Sequence, residues 1–205
     1  MSRSALFASW LAAELLCGCY CPPTSPPSAP PRSALDSVVV VVTDTGPFGK
    51  HVGTGFVLSP QHVLTAYHVV SGLVFTITAD ARPCDVVWVS ATMDVAVLWV
   101  PGLQRPPLRH VLREPEYGAP AAAFGALPVD GSIMFQTGFV QDRRDGLYYA
   151  STEVHPGCSG GPLMVVEDGE WRVAGVVVQM GLLPNGSPLT HVCRAVPIRA
   201  VLAAW

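Results

Sequence analysis

Charge is scarce in this sequence: only 13% of its 205 residues are Asp, Glu, Lys or Arg, and no run of Lys or Arg occurs anywhere. With a formal net charge of −3, the chain lacks the concentrated basic face that a phosphate backbone requires, which excludes nucleic acid as its main partner. Helical patterning is equally sparse. Only Pro197 to Trp205 (PIRAVLAAW) reads as a helix, with proline in its first turn. No internal repeat is present. His51, His62 and His110 have no carboxylate or cysteine at metal-ligand spacing, so neither a metal nor any other cofactor is expected. The apolar stretch Ala5 to Leu16 is too short to span a bilayer.

What the chain does have is apolar residues and turns. Hydrophobic residues make up 50% of the total, enough for a sizeable core and too many for wholesale disorder. The 19 glycines and 20 prolines punctuate short Val-rich runs, the pattern of an all-β domain. Strands are expected at Ser37–Thr43, Gly53–Leu58, His62–Ala66, Leu73–Thr78, Cys84–Ser90 and Val95–Val100. A second series follows at Ala119–Phe124, Ile133–Val140, Leu147–Ser151, Leu163–Val166, Arg172–Gln179 and His191–Val196. So many short strands form either a sandwich or a pair of barrels.

The N-terminus reads as an address. A single positive charge at Arg3 precedes Ala5 to Leu16, which is apolar apart from Ser9 and Glu14, as in a secretory signal core. The stretch ends in Leu16-Cys17-Gly18-Cys19, which resembles the lipobox of bacterial lipoproteins, with Cys19 as the residue that would carry lipid. Residues 1–18 are therefore expected to be a signal peptide and residues 19–35, rich in proline from Cys21 to Pro31, an extended tether. The folded domain is expected over residues 36–205. Such a protein is exported, to the periplasm or cell envelope as a membrane-anchored lipoprotein or else secreted.

Residues 155–162 read HPGCSGGP. Three glycines around Cys158 and Ser159 suggest a tightly folded loop that turns backbone N–H groups toward one point, as an oxyanion hole requires. Either Cys158 or Ser159 is a candidate nucleophile. A serine hydroxyl needs a base within hydrogen-bond reach. His68, where a strand gives way to a short helical turn, is the best placed of the six histidines. An imidazole in that role needs an acid to fix its tautomer, and Asp94 is a lone carboxylate at the head of an apolar strand.

The stretches GTGFVLSPQHVLTAYHVV (53–70), MDVAVL (93–98) and HPGCSGGPL (155–163) carry His, Asp and Ser in that order, 26 and 65 residues apart. Together they resemble the chymotrypsin/trypsin superfamily, most nearly the protease domains of bacterial Deg-type (high-temperature-requirement) enzymes. The resemblance implies two six-stranded antiparallel β-barrels with the active site between them, a short C-terminal helix, and a serine endopeptidase acting on polypeptides. It implies His68 as general base, Asp94 as its orienting acid, Ser159 as nucleophile, and the N–H groups of Gly157 and Ser159 as the oxyanion hole. Asp80 and Asp85 are the alternatives to Asp94.

Cys158 replaces the aspartate of trypsin-like zymogens, so activation by an inserted N-terminus is not expected. No PDZ domain is expected after Trp205, a departure from the Deg type. Cys158 and Cys193 can form a disulfide, with Cys84 as a competing partner and three buried thiols as the alternative. Glu153 falls at the base of the primary pocket if no gap intervenes, which would favour Lys or Arg in the substrate. His191 would favour an acid. Val178, Gln179 and Met180 fall where substrate backbone pairs with the enzyme, leaving a shallow apolar slot for a small aliphatic side chain. The competing reading is a non-catalytic binding module on the same fold.

Overall fold

The computed structural model describes residues 29–205. The predicted signal peptide, the Cys19 lipidation site and most of the proline tether lie outside these residues. The tether's last residues do not extend as expected. Arg32–Leu35 form a helical turn, α1, whose Ala34 is 4% exposed against the core. Burial of that apolar side chain moves the start of the folded domain ahead of Asp36.

Thirteen strands follow. The first seven are β1 (Val38–Asp44), β2 (Lys50–Ser59), β3 (His62–Ala66), β4 (Thr76–Ala79), β5 (Arg82–Pro83), β6 (Asp85–Ser90) and β7 (Val95–Trp99), with α2 (Tyr67–Val70) after β3. The second set is β8 (Pro120–Ala126), β9 (Ile133–Arg144), β10 (Leu147–Ala150), β11 (Pro162–Glu167), β12 (Glu170–Leu182) and β13 (Pro188–Pro197), closed by α3 (Ile198–Ala204). All ladders between them are antiparallel. The second set closes into a barrel in the order β10-β13-β12-β11-β8-β9. The first set curls into a sheet ordered β5-β4-β1-β2-β3-β7-β6. This is the chymotrypsin-like arrangement, with the N-terminal half a curled seven-stranded sheet in place of a closed six-stranded barrel.

Local chemistry explains most strand positions. The β-branched run of β1 buries Val38, Val39 and Val41, and fits a pleated surface packed on both faces. In the closed barrel Ala121, Ala122 and Ala123 of β8 are buried between β9 and β11. One strand starts later than its sequence suggests. Leu73 to Phe75 lie before β4, leaving Leu73 and Phe75 each 64% exposed, although their apolar pattern reads as strand.

Two anchors tie the halves together. The connection between them is held where Arg105 grips both carboxylate oxygens of Asp80 at 2.6 and 2.8 Å. It is held again where the Glu167 carboxylate accepts the N–H groups of Leu112 and Arg113. α3 packs against β12 and β13.

Candidate active site

Asp94 and His68 come from different strands' ends; two bonds join them and a third ties Asp94 to the preceding Tyr67. The Asp94 carbonyl accepts the Tyr67 N–H at 3.0 Å, and its Oδ1 accepts the His68 backbone N–H at 2.9 Å. Its Oδ2 lies 2.6 Å from His68 Nδ1. The turn between β6 and β7 makes this possible by placing Asp94 at φ 56°, a left-handed conformation that aspartate tolerates better than most residues. Both carboxylate oxygens are thus committed to His68. Since a carboxylate only accepts, Nδ1–H is the donor to Asp94, which leaves Nε2 as the ring nitrogen not engaged by Asp94.

The loop after β10 comes to the same place by close approach of backbone. Gly53 on β2 lies so near α2 and Ser159 that a β-carbon there would meet Val69 Cγ1 at 2.6 Å and the Ser159 carbonyl at 3.2 Å. Gly160, at φ 86°, touches Thr54; a β-carbon would sit 2.1 Å from the Thr54 carbonyl oxygen. Glycine is required at both positions.

Within that loop the N–H groups divide cleanly. Those of Cys158, Gly160 and Gly161 donate to the carbonyls of His155, Val177 and Cys158 at 3.0, 2.7 and 2.9 Å. Those of Gly157 and Ser159 have no acceptor among the described residues. Backbone donors left open beside a serine are the arrangement that stabilises a developing oxyanion. No hydrogen bond links Ser159 Oγ to the His68 ring among the described residues; such bonds commonly tighten only when substrate arrives.

Residues 53–176 match the family of trypsin-like peptidase domains. The chain belongs to that family. The peptidase domain is 32% identical over 165 residues to the serine protease Rv3671c of Mycobacterium tuberculosis (strain ATCC 25618 / H37Rv), a match covering 71% of this chain and 41% of the relative. The chain thus spans about two fifths of the length of the curated relatives it matches. The crystal structure of the active form of the Rv3671c protease superposes with a TM-score of 0.71 at 26% identity, covering 87% of this chain and 86% of that one. A serine endoprotease from Yersinia pestis shares the fold, with a TM-score of 0.72 at 20% identity over 84% of this chain and 62% of that one.

The remaining expected site residues separate into two groups. A cleft of about 670 Å³ beside the His68–Asp94 pair is lined by Val178 and Gln179 of β12, together with Thr92, Met93 and Leu147. Met180 is half-buried and packs on the core. Glu153 and His191 are both exposed and line neither cleft that borders His68. Asp80 is held by Arg105, which removes it from the acid role.

The Cys158–Cys193 disulfide is not formed. Both thiols are free and buried, as is the half-buried Cys84 thiol free. Cys158 packs its sulfur over Gly125 and accepts the His155 N–H at 3.4 Å, while Cys193 is wholly enclosed in the barrel. Burial pushes the Cys158 thiol up, and pushes Cys193 up to about 12. Thiols held neutral by desolvation are poor nucleophiles, which disfavours Cys158 in that role.

One residue escaped the sequence reading. Thr54 is fully buried and joins the two halves at the site. Its hydroxyl donates to the Gly157 carbonyl at 2.5 Å and accepts the Ala126 N–H at 2.8 Å. Its own N–H donates to the Ser159 carbonyl at 2.8 Å, and its carbonyl accepts the Thr65 hydroxyl at 2.7 Å. The available signal was a hydroxyl set between two glycines, Gly53 and Gly55, just before the apolar run Phe56–Leu58.

Proposed function

We propose that the chain is a serine endopeptidase. The observation that carries this is the doubly bonded His68–Asp94 pair beside a loop whose Gly157 and Ser159 N–H groups are unspent. Ser159 Oγ attacks the substrate carbonyl while His68 Nε2 takes its proton. Asp94 holds the ring tautomer and stabilises the imidazolium that forms. The two N–H groups receive the oxyanion. His68 then protonates the leaving amine, and water hydrolyses the acyl-enzyme by the same steps in reverse. A polypeptide lies with its acyl half along the end of β12. Met93, Leu147, Val178 and Val196 give that cleft an apolar wall beside the polar Asp145 and Gln179, and Glu153 lies outside it; a small aliphatic residue before the cleaved bond is favoured over Lys or Arg.

A fluorophosphonate probe tests this directly. It labels the wild type and the Cys158→Ala variant but not Ser159→Ala. Labelling that survives in Ser159→Ala and vanishes in Cys158→Ala overturns the assignment.

For the N-terminal part, the reading is export with removal of residues 1–18, lipidation of Cys19 and a tethering proline segment. The Ala5–Leu16 core and the Leu16–Cys19 motif support it. Among the described residues no helix is long and apolar enough to cross a membrane. Intact-mass measurement after expression in a bacterial host tests it: an N-terminus starting unmodified at Met1 refutes both signal and anchor.

A further inference from the structure

At the ends of β3 and β7 remote from the catalytic pair, His62 and Trp99 face each other as direct partners in the ladder. His68 and Asp94 stand at the opposite ends, beyond Ala66 and before Val95. The Trp205 ring meets the His62 ring edge-on, with 5.5 Å between centroids. Two indoles thus flank one imidazole, and both remain accessible, Trp99 at 39% and Trp205 at 45% exposure. Neither indole N–H has an acceptor among the described residues. Apolar surface continues from Trp205 into a cleft of about 360 Å³ with Leu58, Pro107, Leu108, Leu112 and Leu202. Leu112 is 64% exposed there. The guanidinium groups of this cleft are paired: Arg109 and Arg172 reach Glu170 at 3.0 and 3.1 Å, and Arg172 also lies 3.6 Å from Glu167.

Exposed apolar surface of this extent marks a binding face. Its chemistry is that of the boundary between lipid tails and water, where an indole ring enters the apolar layer and its N–H meets headgroups. The chain also enters the domain beside this face. The Ser37 carbonyl, just after α1, accepts the Val57 N–H at 2.9 Å, and the Val57 carbonyl accepts the Leu108 N–H at 3.0 Å. Leu58 and Leu108 both line the Trp205 cleft. Ala29, the first described residue, follows Cys19 by ten residues, which span at most about 35 Å. A lipid on Cys19 therefore keeps a bilayer within that reach of Ala29. Held so closely, a surface contact becomes intramolecular and needs little affinity of its own.

We propose that the Trp99–Trp205 face docks on the surface of a phospholipid bilayer. A domain seated in this way has the His68–Asp94 pair at the far ends of β3 and β7, turned toward water. This rests on the lipid-anchor reading above, and the test separates the two by supplying the anchor artificially. A chain starting at Tyr20 keeps every described residue, and a hexahistidine tag in place of Cys19 holds it on phosphatidylcholine vesicles through a nickel-chelating lipid. Tryptophan emission is compared on plain and on brominated phosphatidylcholine, whose bromines quench indoles at the lipid.

Trp88, Trp99, Trp171 and Trp205 remain in this chain. The wild type loses up to about half of its emission on brominated lipid, two of its indoles being in contact. A Trp99→Phe, Trp205→Phe double variant shows no such loss. Leu112→Glu keeps both indoles but puts a carboxylate into the face, and it too loses little. Leu182→Ser, which removes a side chain 51% exposed on β12, keeps the wild-type loss. Fluorophosphonate labelling and melting temperature confirm that each variant is folded. Equal wild-type emission on the two lipids, with the tag still holding the protein on the vesicles, overturns the inference and leaves the anchor reading standing. An undiminished loss in the double variant or in Leu112→Glu overturns it as well. A wild-type dimer that Leu112→Glu dissolves, without any bromine effect, assigns the face to a second copy of the chain instead. An unmodified Met1 by intact mass overturns the anchor reading alone, because bromine quenching of the tagged chain still establishes the docking face.

Discussion

Replacing Thr54 by valine keeps the shape of the side chain and deletes its hydroxyl. In the folded protein that hydroxyl satisfies two buried groups, the Gly157 carbonyl and the Ala126 N–H. Valine leaves both orphaned at a position with no solvent access. Each unsatisfied buried group costs about 1–3 kcal/mol, so the expected loss is about 2–6 kcal/mol. For a domain of this size each kcal/mol lowers the melting temperature by about 2–4 °C, giving a drop of roughly 4–24 °C. Thr54→Ser keeps the hydroxyl and loses one methyl, at about 1 kcal/mol. Activity should fall further than stability alone explains. The Gly157 carbonyl held by Thr54 adjoins the peptides whose N–H groups are the proposed oxyanion donors, and misplacing one such donor lowers kcat by up to about 10²–10³. Calorimetric melting and the rate of fluorophosphonate acylation, measured well below the variant's melting temperature, read the two effects separately. A Thr54→Val protein that melts and acylates like the wild type would refute the idea that this hydroxyl joins the halves and shapes the loop.

Asp94→Asn should leave the fold intact and lower kcat/KM by about 10⁴, because an amide cannot hold the reactive tautomer of His68; a loss below tenfold, measured on a peptide substrate, removes Asp94 from the acid role. Glu167 has its carboxyl held below the ordinary 4.5 by the Leu112 N–H first, then by the Arg113 N–H and the Arg172 and Arg113 guanidinium groups, against an opposing effect of burial. A depressed carboxylate contributes stability that is fully present above its unfolded value and disappears as pH falls through the folded one. The stability gap between wild type and Glu167→Gln should therefore be widest near neutrality and narrow progressively as pH falls below about 4.5. Denaturant midpoints across pH check this, and a gap that does not narrow in acid refutes it. Alkylation should modify neither Cys158 nor Cys193 in the native protein at pH 8 and both after unfolding without reductant; if they resist after unfolding too, the disulfide exists.

Strand positions were legible because their causes are local. β-branched runs, Gly-Pro turns and the alternation of apolar residues act within a few positions, so β3 begins and ends where His62 and Ala66 say it should. The triad residue types and their order were also written in short motifs, as was the helix from Ile198. What failed were several features that depend on two distant segments meeting. Leu73 and Phe75 have a strand's pattern, but a strand needs a partner, and theirs begins pairing only at Thr76. Ala34 looked like part of a tether because burial belongs to the surface it docks on. Counting back from Ser159 put Glu153 in a pocket, yet loop length decides that, and Glu153 stands in solvent. Cys158 and Cys193 have compatible spacing in the chain, but a disulfide needs β-carbons aimed at each other, which only the packed barrel determines. The Asp94–His68 pairing was expected from the motifs, but the bridging hydroxyl of Thr54 was not: its contacts with Gly157 and Ala126 exist only once both halves have folded around it.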